Sequence, residues 1–129
     1  MSEAYQYALW RSVPDAEREE SVNVGIVLYA PRLRFIGARA HLDRVRLAAL
    51  LPTVDVDAVA AALDRRLAVA AGAAEAGAVA ALDAGDRFGL LVAPSSTVVR
   101  PGPVHTGLCD EAASTLERLF ERLVLPPGR

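Results

Sequence analysis

Seven polar side chains in two stretches of this sequence could bind a ligand or carry out chemistry. They are Arg18, Glu20, Asn23, Arg87, Ser96, Arg100 and His105. In the first stretch, an arginine, a carboxylate and an amide that meet at a sheet edge could hold a phosphate, a peptide or a nucleotide. The same three residues could instead form a surface ion pair and satisfy backbone groups at a strand end, which is the commoner arrangement.

A run of hydroxyl residues, Ser95 to Thr97, lies between Pro94 and Arg100 in the second stretch. Hydroxyls and exposed amides beside an arginine could cradle an anion, or the hydroxyls could accept phosphate from a partner kinase. Three hydroxyls after a proline are also ordinary turn chemistry. The loop is therefore a candidate anion site with a plain turn as its alternative.

His105 is the single residue best suited to proton transfer, because histidine changes charge near neutral pH. Cys109 follows four positions later and could pair with it as a nucleophile. Catalytic pairs of this kind are seldom neighbours in sequence, so a small buried cysteine just before a helix is the favoured interpretation of Cys109. The sequence leaves enzymatic activity undecided and leans against it.

Several classes of chemistry lack their residues in this chain. All 14 basic residues are arginines, which excludes Schiff-base, Walker-A and Ser–Lys sites built from this chain alone. Two histidines and one cysteine, without His-x-x-x-His, Cys-x-x-Cys or an Asp-rich loop, do not make a metal site. Neither G-x-G-x-x-G nor G-x-x-x-x-G-K occurs. We therefore predict no metal and no cofactor.

The charge balance gives no global attraction for nucleic acid or anionic lipid, because the formal net charge is −2. One local basic patch faces only Asp43; its members are Arg32, Arg34, Arg39, Arg44 and Arg46. Aromatic residues are sparse, so scattered surface arginines are the favoured interpretation and nucleic acid is disfavoured as a partner.

The location of the protein is predicted from three features of the sequence. Cys109 is the only cysteine and cannot form an internal disulfide, which suits a reducing compartment. Charges interrupt the first 20 residues, and no run of about 18 apolar residues is free of them. We expect a cytoplasmic protein that does not span a membrane.

The polar clusters must be positioned by strands near the start of the chain. Residues 4–13, 21–30 and 33–41 are rich in aromatic and β-branched residues and are separated by turn signals. They predict a three-stranded antiparallel meander.

The second of these strands has an alternating pattern. Val22, Val24, Ile26 and Leu28 recur at period two, which predicts that all four share one face. Gly25 within the strand indicates a bulge or a close approach of another group.

Helical patterns follow the meander. Asp43 caps a short helix that runs to about Leu51, and a longer helix begins at Asp55 or Asp57 and ends at Gly72. The Ala-rich stretch after it predicts only a weak helix or a loop.

The last third of the chain is predicted to return to strands and then to a helix. Residues 88–93 and 97–106 are apolar and β-prone, with prolines between them. An amphipathic helix spans Asp110 to about Val124, with Asp110 as its cap.

These elements predict an α+β fold in a single domain, residues 1–129. Its sheet is small and mainly antiparallel, with the N-terminal three-stranded meander, and two to three helices pack on one face.

Three stretches carry a resemblance to a known family. They are YQYALWRSV near the start, Val13–Tyr29 and Asp86–Glu111. Together they resemble the bacterial domain of unknown function 3037 family over nearly the whole chain. The chain departs from that family's pattern at Leu90, Ser95 and Arg100, where Trp, a basic residue and Gln are common.

The resemblance implies no established activity. It does imply a partner, because members of the family are often encoded beside HipA-like kinases. We therefore expect a non-enzymatic interaction or accessory module, with a HipA-like kinase as its partner. The alternative is a small-molecule or nucleotide-binding domain, with or without enzymatic activity, in which the seven polar residues share one Arg/Glu/Asn/His pocket.

Overall fold

The computed structural model describes residues 1–128 and has the predicted α+β architecture. Its strands are β1 (Glu3–Ser12), β2 (Val22–Ala30), β3 (Phe35–Ala40), β4 (Val99–Pro101) and β5 (His105–Cys109). Its helices are α1 (Arg44–Leu50), α2 (Val56–Ala71), α3 (Ala84–Val92) and α4 (Ala112–Leu123). Short 3-10 segments at Pro31–Leu33 and Ala74–Ala81 complete the described elements.

The five strands form one antiparallel sheet in which β1 is central. The order is β3-β2-β1-β4, and β5 pairs with β1 beside β4. The predicted meander of the first three strands is confirmed. The short strands β4 and β5 share one side of β1, with β4 along Trp10–Ser12 and β5 along Glu3–Tyr7.

A bulge in β2 changes which side chains share a face. Trp10 pairs with Gly25, but Arg11 pairs with Asn23, so Val24 is an extra residue in β2. Val22 and Val24 consequently pack with α1–α3, whereas Ile26 and Leu28 pack with α4. The prediction that all four share one face is wrong, because one inserted residue reverses the alternation of every residue after it.

Helices cover both faces of the sheet. Helices α1, α2 and α3 pack on one side, here called the α1–α3 face, around the fully buried Trp10. Helix α4 packs on the opposite side, here called the α4 face, against β2 and β3. Helices α1, α2 and α4 are the three predicted from the sequence, and all were expected on one face. The structure places α4 on the opposite face and adds α3 beside α1 and α2.

The predicted helix caps are confirmed for the first two helices. The Asp43 and Asp55 carboxylates accept hydrogen bonds from the amides of Arg46 and Ala58, and Gly72 ends α2 with φ +64°. Asp110 is not a cap, because Glu111 precedes α4 and the Asp110 carboxylate accepts from Ser2 Oγ at 3.1 Å.

Residues 88–92 lie in helix α3, which ends before Ala93, and do not form the predicted strand. Asp83 caps this helix, and Phe88 and Leu91 are buried at helical spacing. Short apolar runs of this kind fit a buried helix as well as a strand. Among residues 1–128, no helix combines the length and apolar character that a membrane span requires.

Candidate functional site

Arg18 and Glu20 lie in the exposed connection between β1 and β2. Their side chains form an ion pair at 2.5 Å, as the structural interpretation predicted. The hydrogen bond between them lowers the pKa of Glu20 and raises the pKa of Arg18. Both side chains are strongly exposed, so solvent screens the pair and the two do not line a cleft.

Asn23 lies on the α4 face, where it fastens the start of β2 to the end of α4. Its side-chain amide donates to the Leu123 carbonyl at 3.0 Å. One of the last carbonyls of α4 is thereby satisfied. Asn23 therefore stabilises the contact between β2 and α4. Its side-chain oxygen has no hydrogen-bond partner among residues 1–128.

Arg87 lies on the α1–α3 face and binds the backbone. Its guanidinium donates to the carbonyls of Val69 and Ala70 at 3.0 and 2.7 Å, and to that of Leu82 at 3.1 Å. A cation beside the final carbonyls of a helix stabilises its C-terminus. Arg87 is a cap for α2 and does not face His105, which lies across the sheet.

His105 lies at the start of β5 and on the α4 face. It is the cross-strand partner of Tyr7, and the two rings stack with centroids 5.1 Å apart. Cys109 is on the same strand four residues on, roughly 13 Å along an extended chain, and it is buried. A Cys–His nucleophilic pair is therefore excluded by geometry.

Arg100 also projects from the α4 face, and it stands directly beside Arg11. The two arginines are cross-strand partners in the β1–β4 pairing. Asn23 is the partner of Arg11 on the other side, so Asn23, Arg11 and Arg100 form a row across three strands. Asn23 and Arg100, the outer members of this row, were predicted as site residues from the sequence, but Arg11 between them was not.

Gly102 provides the space that the Arg11 side chain occupies. A β-carbon at Gly102 would lie 3.0 Å from Cζ and from one terminal nitrogen of Arg11. The guanidinium therefore lies over the backbone of the β4–β5 connection, on the side of Arg11 towards His105. The distance along the strands from Gly102 to the Tyr7–His105 pair is roughly 7 Å.

The hydroxyl loop is an ordered turn that three side chains hold in place. Ser95 Oγ lies 2.8 Å from Thr97 Oγ1, which donates to the Val99 carbonyl at 2.9 Å. Arg100 Nε donates to the Thr97 carbonyl at 3.1 Å. Ser96 is exposed, and its carbonyl lies 3.5 Å from Arg100 Nη2. Most of this polarity serves the turn itself.

Arg66 of α2 contacts the same loop, and no sequence feature near the loop predicts this contact. Its guanidinium donates to the Val99 carbonyl at 2.7 Å and to Thr97 Oγ1 at 3.3 Å. Burial, and then the nearby charge of Arg65, lower its pKa. Arg66 lines a cavity of ≈ 290 Å³ together with Ser95 and Pro101.

The seven predicted residues do not form one pocket. Asn23, Arg100 and His105 share the α4 face, and Arg87 lies on the other face. Arg18 and Glu20 project from the β1–β2 loop, and Ser96 is exposed in the loop before β4. Of five cavities of ≈ 190 to ≈ 370 Å³ in residues 1–128, none is lined by any of the seven.

The arginines of the basic patch lie on three elements. Arg32 and Arg34 belong to the Pro31–Leu33 segment and its end, Arg39 to β3, and Arg44 and Arg46 to α1. Arg39 on β3 pairs with Glu117 of α4 and lies over the Phe120 ring at 4.4 Å.

Within residues 1–128, no group of three His, Cys, Asp or Glu side chains could hold a metal ion.

Comparison with known proteins adds the family. The family model described as Protein of unknown function (DUF3037) matches residues 7–124. The chain belongs to the DUF3037 family. No curated protein and no solved structure matches it. The matched DUF3037 region runs from Tyr7 in the middle of β1 to the residue that follows α4, so it contains the row of Asn23, Arg11 and Arg100 as well as His105.

Proposed function

We propose that this chain is a non-catalytic interaction module that binds a protein partner by adding a strand to the free edge of β5. The observation that carries the proposal is the contrast between β4 and β5. Both short strands lie on the same side of β1, but side chains block the outer edge of β4 and leave that of β5 open.

The outward-facing backbone groups follow from the hydrogen bonds of β1. The Val13 amide donates to the Val98 carbonyl, and the Gly102 amide donates to the Leu9 carbonyl at 2.8 Å. Since alternate residues of a strand bond to opposite neighbours, odd-numbered β1 residues bond towards β4 and β5.

On β5, this alternation determines which residues face outwards. His105, Gly107 and Cys109 are the partners of odd-numbered β1 residues, so they bond inwards. The amide and carbonyl groups of Thr106 and Leu108 consequently point away from β1.

The β4 half of this edge is closed to pairing. The outward carbonyl of Val99 accepts from Arg66 and from Thr97. Pro101 has no N–H to offer on the same edge, which is a common way to protect an edge strand.

The β5 half carries none of these protections among residues 1–128. Thr106 and Leu108 have no charged neighbour on the strand, and no side chain bonds to their outward backbone groups. Leu108 is 71% exposed. Its cross-strand partner Ala4 and the nearby Gln6 are also exposed, so the strand edge continues into a neutral sheet surface. An edge of this kind favours the addition of an extended peptide.

The family resemblance supplies the partner to test first. A HipA-like kinase encoded beside the gene is the proposed partner, and an extended segment of it is the proposed strand. The module would then act as an accessory to the kinase. The alternative of one Arg/Glu/Asn/His pocket for a small molecule or nucleotide has no geometric support, because those residues are divided between the two faces of the sheet and two exposed loops.

The test is co-purification of the chain with the neighbouring kinase, followed by titration of the purified proteins. Thr106→Pro removes an outward N–H without removing a β1–β5 hydrogen bond, and Leu108→Asp places a charge on the edge. We expect each to weaken binding by roughly tenfold or more, equivalent to about 1.4 kcal/mol. Val45→Asp is the matched control, since Val45 is 80% exposed on α1.

Circular dichroism of each variant establishes that the fold is kept. The proposal is wrong if the kinase does not bind the wild-type chain, or if Thr106→Pro and Leu108→Asp bind as tightly as Val45→Asp. Size-exclusion chromatography distinguishes a second copy of this chain as the occupant of the edge. A wild-type dimer that Thr106→Pro converts to a monomer would replace the kinase with self-association.

A further inference from the structure

We propose that the strand added to the β5 edge carries a large apolar residue at one end and a basic residue at the other, and that the apolar residue inserts into the cavity beside Pro101. This inference rests on the proposed function and states the chemistry of the partner's segment. The cavity is the one of ≈ 290 Å³ that Arg66 and Ser95 help to line, here called the anchor cavity.

The anchor cavity lies on the same face as the exposed side chains of the β5 edge. Pro101 lines the cavity and is the cross-strand partner of Trp10, whereas Thr106 is the partner of Gln6. Gln6 and Trp10 are four residues apart on β1, so they and their partners share the α1–α3 face. A segment that pairs with β5 and continues straight therefore reaches the cavity roughly 13 Å beyond Thr106.

The β4 half of the edge is accessible to side chains and not to a pairing backbone. The Val99 carbonyl accepts from Arg66 and Thr97, and Pro101 has no N–H. A segment that β5 holds can therefore contact this half only through its side chains. Main-chain hydrogen bonds supply affinity and a side-chain pocket supplies specificity in strand addition of this kind.

The walls of the anchor cavity are mainly apolar. They come from α2, the Ala74–Ala81 segment, α3 and the proline residues on either side of β4's start, and they include Val69, Val79, Leu90, Leu91, Pro94 and Pro101. Leu90 is 54% exposed, so a large apolar side chain beside this concave surface stays in water until a partner covers it.

The size of the anchor cavity suits one large side chain. Its volume of ≈ 290 Å³ is roughly ten times the share of liquid volume that one water takes. Leucine, methionine or phenylalanine fits that space. Arg66 also lines the cavity, but its guanidinium donates to the carbonyls of Ala62 and Val99. An apolar occupant is therefore favoured over a charged one.

The opposite end of the β5 edge is acidic. Asp110 follows β5 and accepts a hydrogen bond from Ser2 Oγ, and Glu111 comes next; both acidic residues are exposed. Within residues 1–128, neither carboxylate has an arginine or histidine at ion-pair distance. A basic residue in the added strand complements this end and disfavours a shifted register.

The two ends together define the spacing in the partner's segment. Asp110 lies at the level of Ser2, and the anchor cavity lies at the level of Trp10, eight residues further along β1. The basic and apolar residues of an extended segment are consequently about eight positions, or roughly 26 Å, apart.

The first experiment compares binding of the wild-type chain and its variants to the purified neighbouring kinase. Leu90→Asp places a charge at the anchor cavity, and we expect it to weaken binding by roughly tenfold to a hundredfold, because an apolar side chain is no longer buried there. Val45→Asp, at a position 80% exposed on α1, is the matched control and should bind as wild type does. Circular dichroism establishes that both variants keep the fold.

The acidic end is tested by Asp110→Asn combined with Glu111→Gln. Removal of both charges should weaken binding by roughly threefold to tenfold at low salt and reduce its salt dependence. Glu17→Gln combined with Glu19→Gln removes the same charge from the exposed β1–β2 connection and should leave the affinity unchanged.

Hydrogen exchange of the kinase, with and without this chain, identifies the bound segment. We expect protection of an extended segment in which a basic residue and a large apolar residue are about eight positions apart. Replacing that apolar residue by alanine should weaken binding of the wild-type chain but have little further effect on Leu90→Asp, since the two residues contact each other.

The anchor is wrong if Leu90→Asp binds as tightly as Val45→Asp while Thr106→Pro weakens binding, and strand addition then stands without it. Losses that add instead of coupling, or a protected segment without an apolar residue at this spacing, would also overturn it. Unchanged affinity of the acidic-end variant would overturn the basic residue. If the kinase does not bind, or if Thr106→Pro has no effect, the proposed function fails and this inference fails with it.

Discussion

The two faces of the sheet are built to different degrees of closure. On the α1–α3 face, three helices enclose Trp10, which is 0% exposed and donates from its indole to the Leu91 carbonyl at 3.2 Å. On the α4 face, one helix packs against β2 and β3 and leaves the region of Arg11, Arg100 and His105 bare of helix. The polar residues that lack structural partners, Arg11 above all, lie in that bare region.

This difference separates stability from binding. Around Trp10, the α1–α3 face is enclosed by helices, so the side chains there contribute packing. A face that one helix half covers exposes side chains from neighbouring strands in fixed relative positions, which suits recognition. Substitutions at the enclosed positions around Trp10 should therefore lower the free energy of unfolding, and substitutions on the bare part of the α4 face should change it little.

Trp10→Ala should produce the largest loss. It removes a fully buried indole and leaves the Leu91 carbonyl without its partner, at a cost of about 3–5 kcal/mol. Urea denaturation followed by circular dichroism measures this, because Trp10 is the only tryptophan and its fluorescence is lost. Leu9→Ala, one residue earlier and on the α4 face, is the matched control and should cost clearly less. Equal losses would contradict the difference between the faces.

Gly25→Ala should have the next largest effect. The added carbon would lie 2.6 Å from the Trp10 ring and 3.1 Å from the Arg39 carbonyl, with helices behind the ring. Overpacking of a closed core costs about 1–3 kcal/mol, which thermal unfolding detects. Gly107→Ala meets the far end of the Tyr5 ring at 2.5 Å on the edge strand, where both can move outwards. A cost at Gly107 as large as that at Gly25 would show that the edge is as rigid as the core.

Gly25 also marks the limit of what sequence predicts for this fold. The sequence pattern predicts the meander, the caps of α1 and α2, and a bulge or close approach at Gly25. It does not give the inserted Val24, because alternation read along one strand contains no information about the register with its neighbour. The division of Ile26 and Val24 between two faces, and hence the place of α4, follows from that one residue.

The candidate site shows the same limit. Asn23, Arg100 and His105 are noticeable in sequence, and the structure brings them onto one face. Arg11 and Arg66 do not stand out in the sequence, because each contacts a residue that is 30 or more positions away in the chain. Arg87 was predicted as a binding residue, but its guanidinium has a structural role. Its three carbonyl partners come from the end of α2 and the turn before α3.

Ser12→Ala tests an exception on the closed face. Ser12 is 1% exposed, and its hydroxyl has no hydrogen-bond partner in residues 1–128, beside a cavity of ≈ 200 Å³. A buried hydroxyl without a partner costs free energy, so its removal should raise the free energy of unfolding by about 1 kcal/mol. Chemical denaturation of the single variant measures this. A loss of stability would mean that an ordered water satisfies Ser12 in solution.

Arg11→Gln should have the smallest effect on stability. The change removes repulsion from Arg100 and no ion pair, so the free energy of unfolding should stay within about 0.5 kcal/mol of wild type or rise slightly. Urea denaturation at low salt, where the repulsion is least screened, is the sensitive measurement. A clear loss of stability would assign Arg11 a structural role like that of Arg87. The bare part of the α4 face would then stabilise the fold just as the α1–α3 face does, and the separation of binding from stability would not hold.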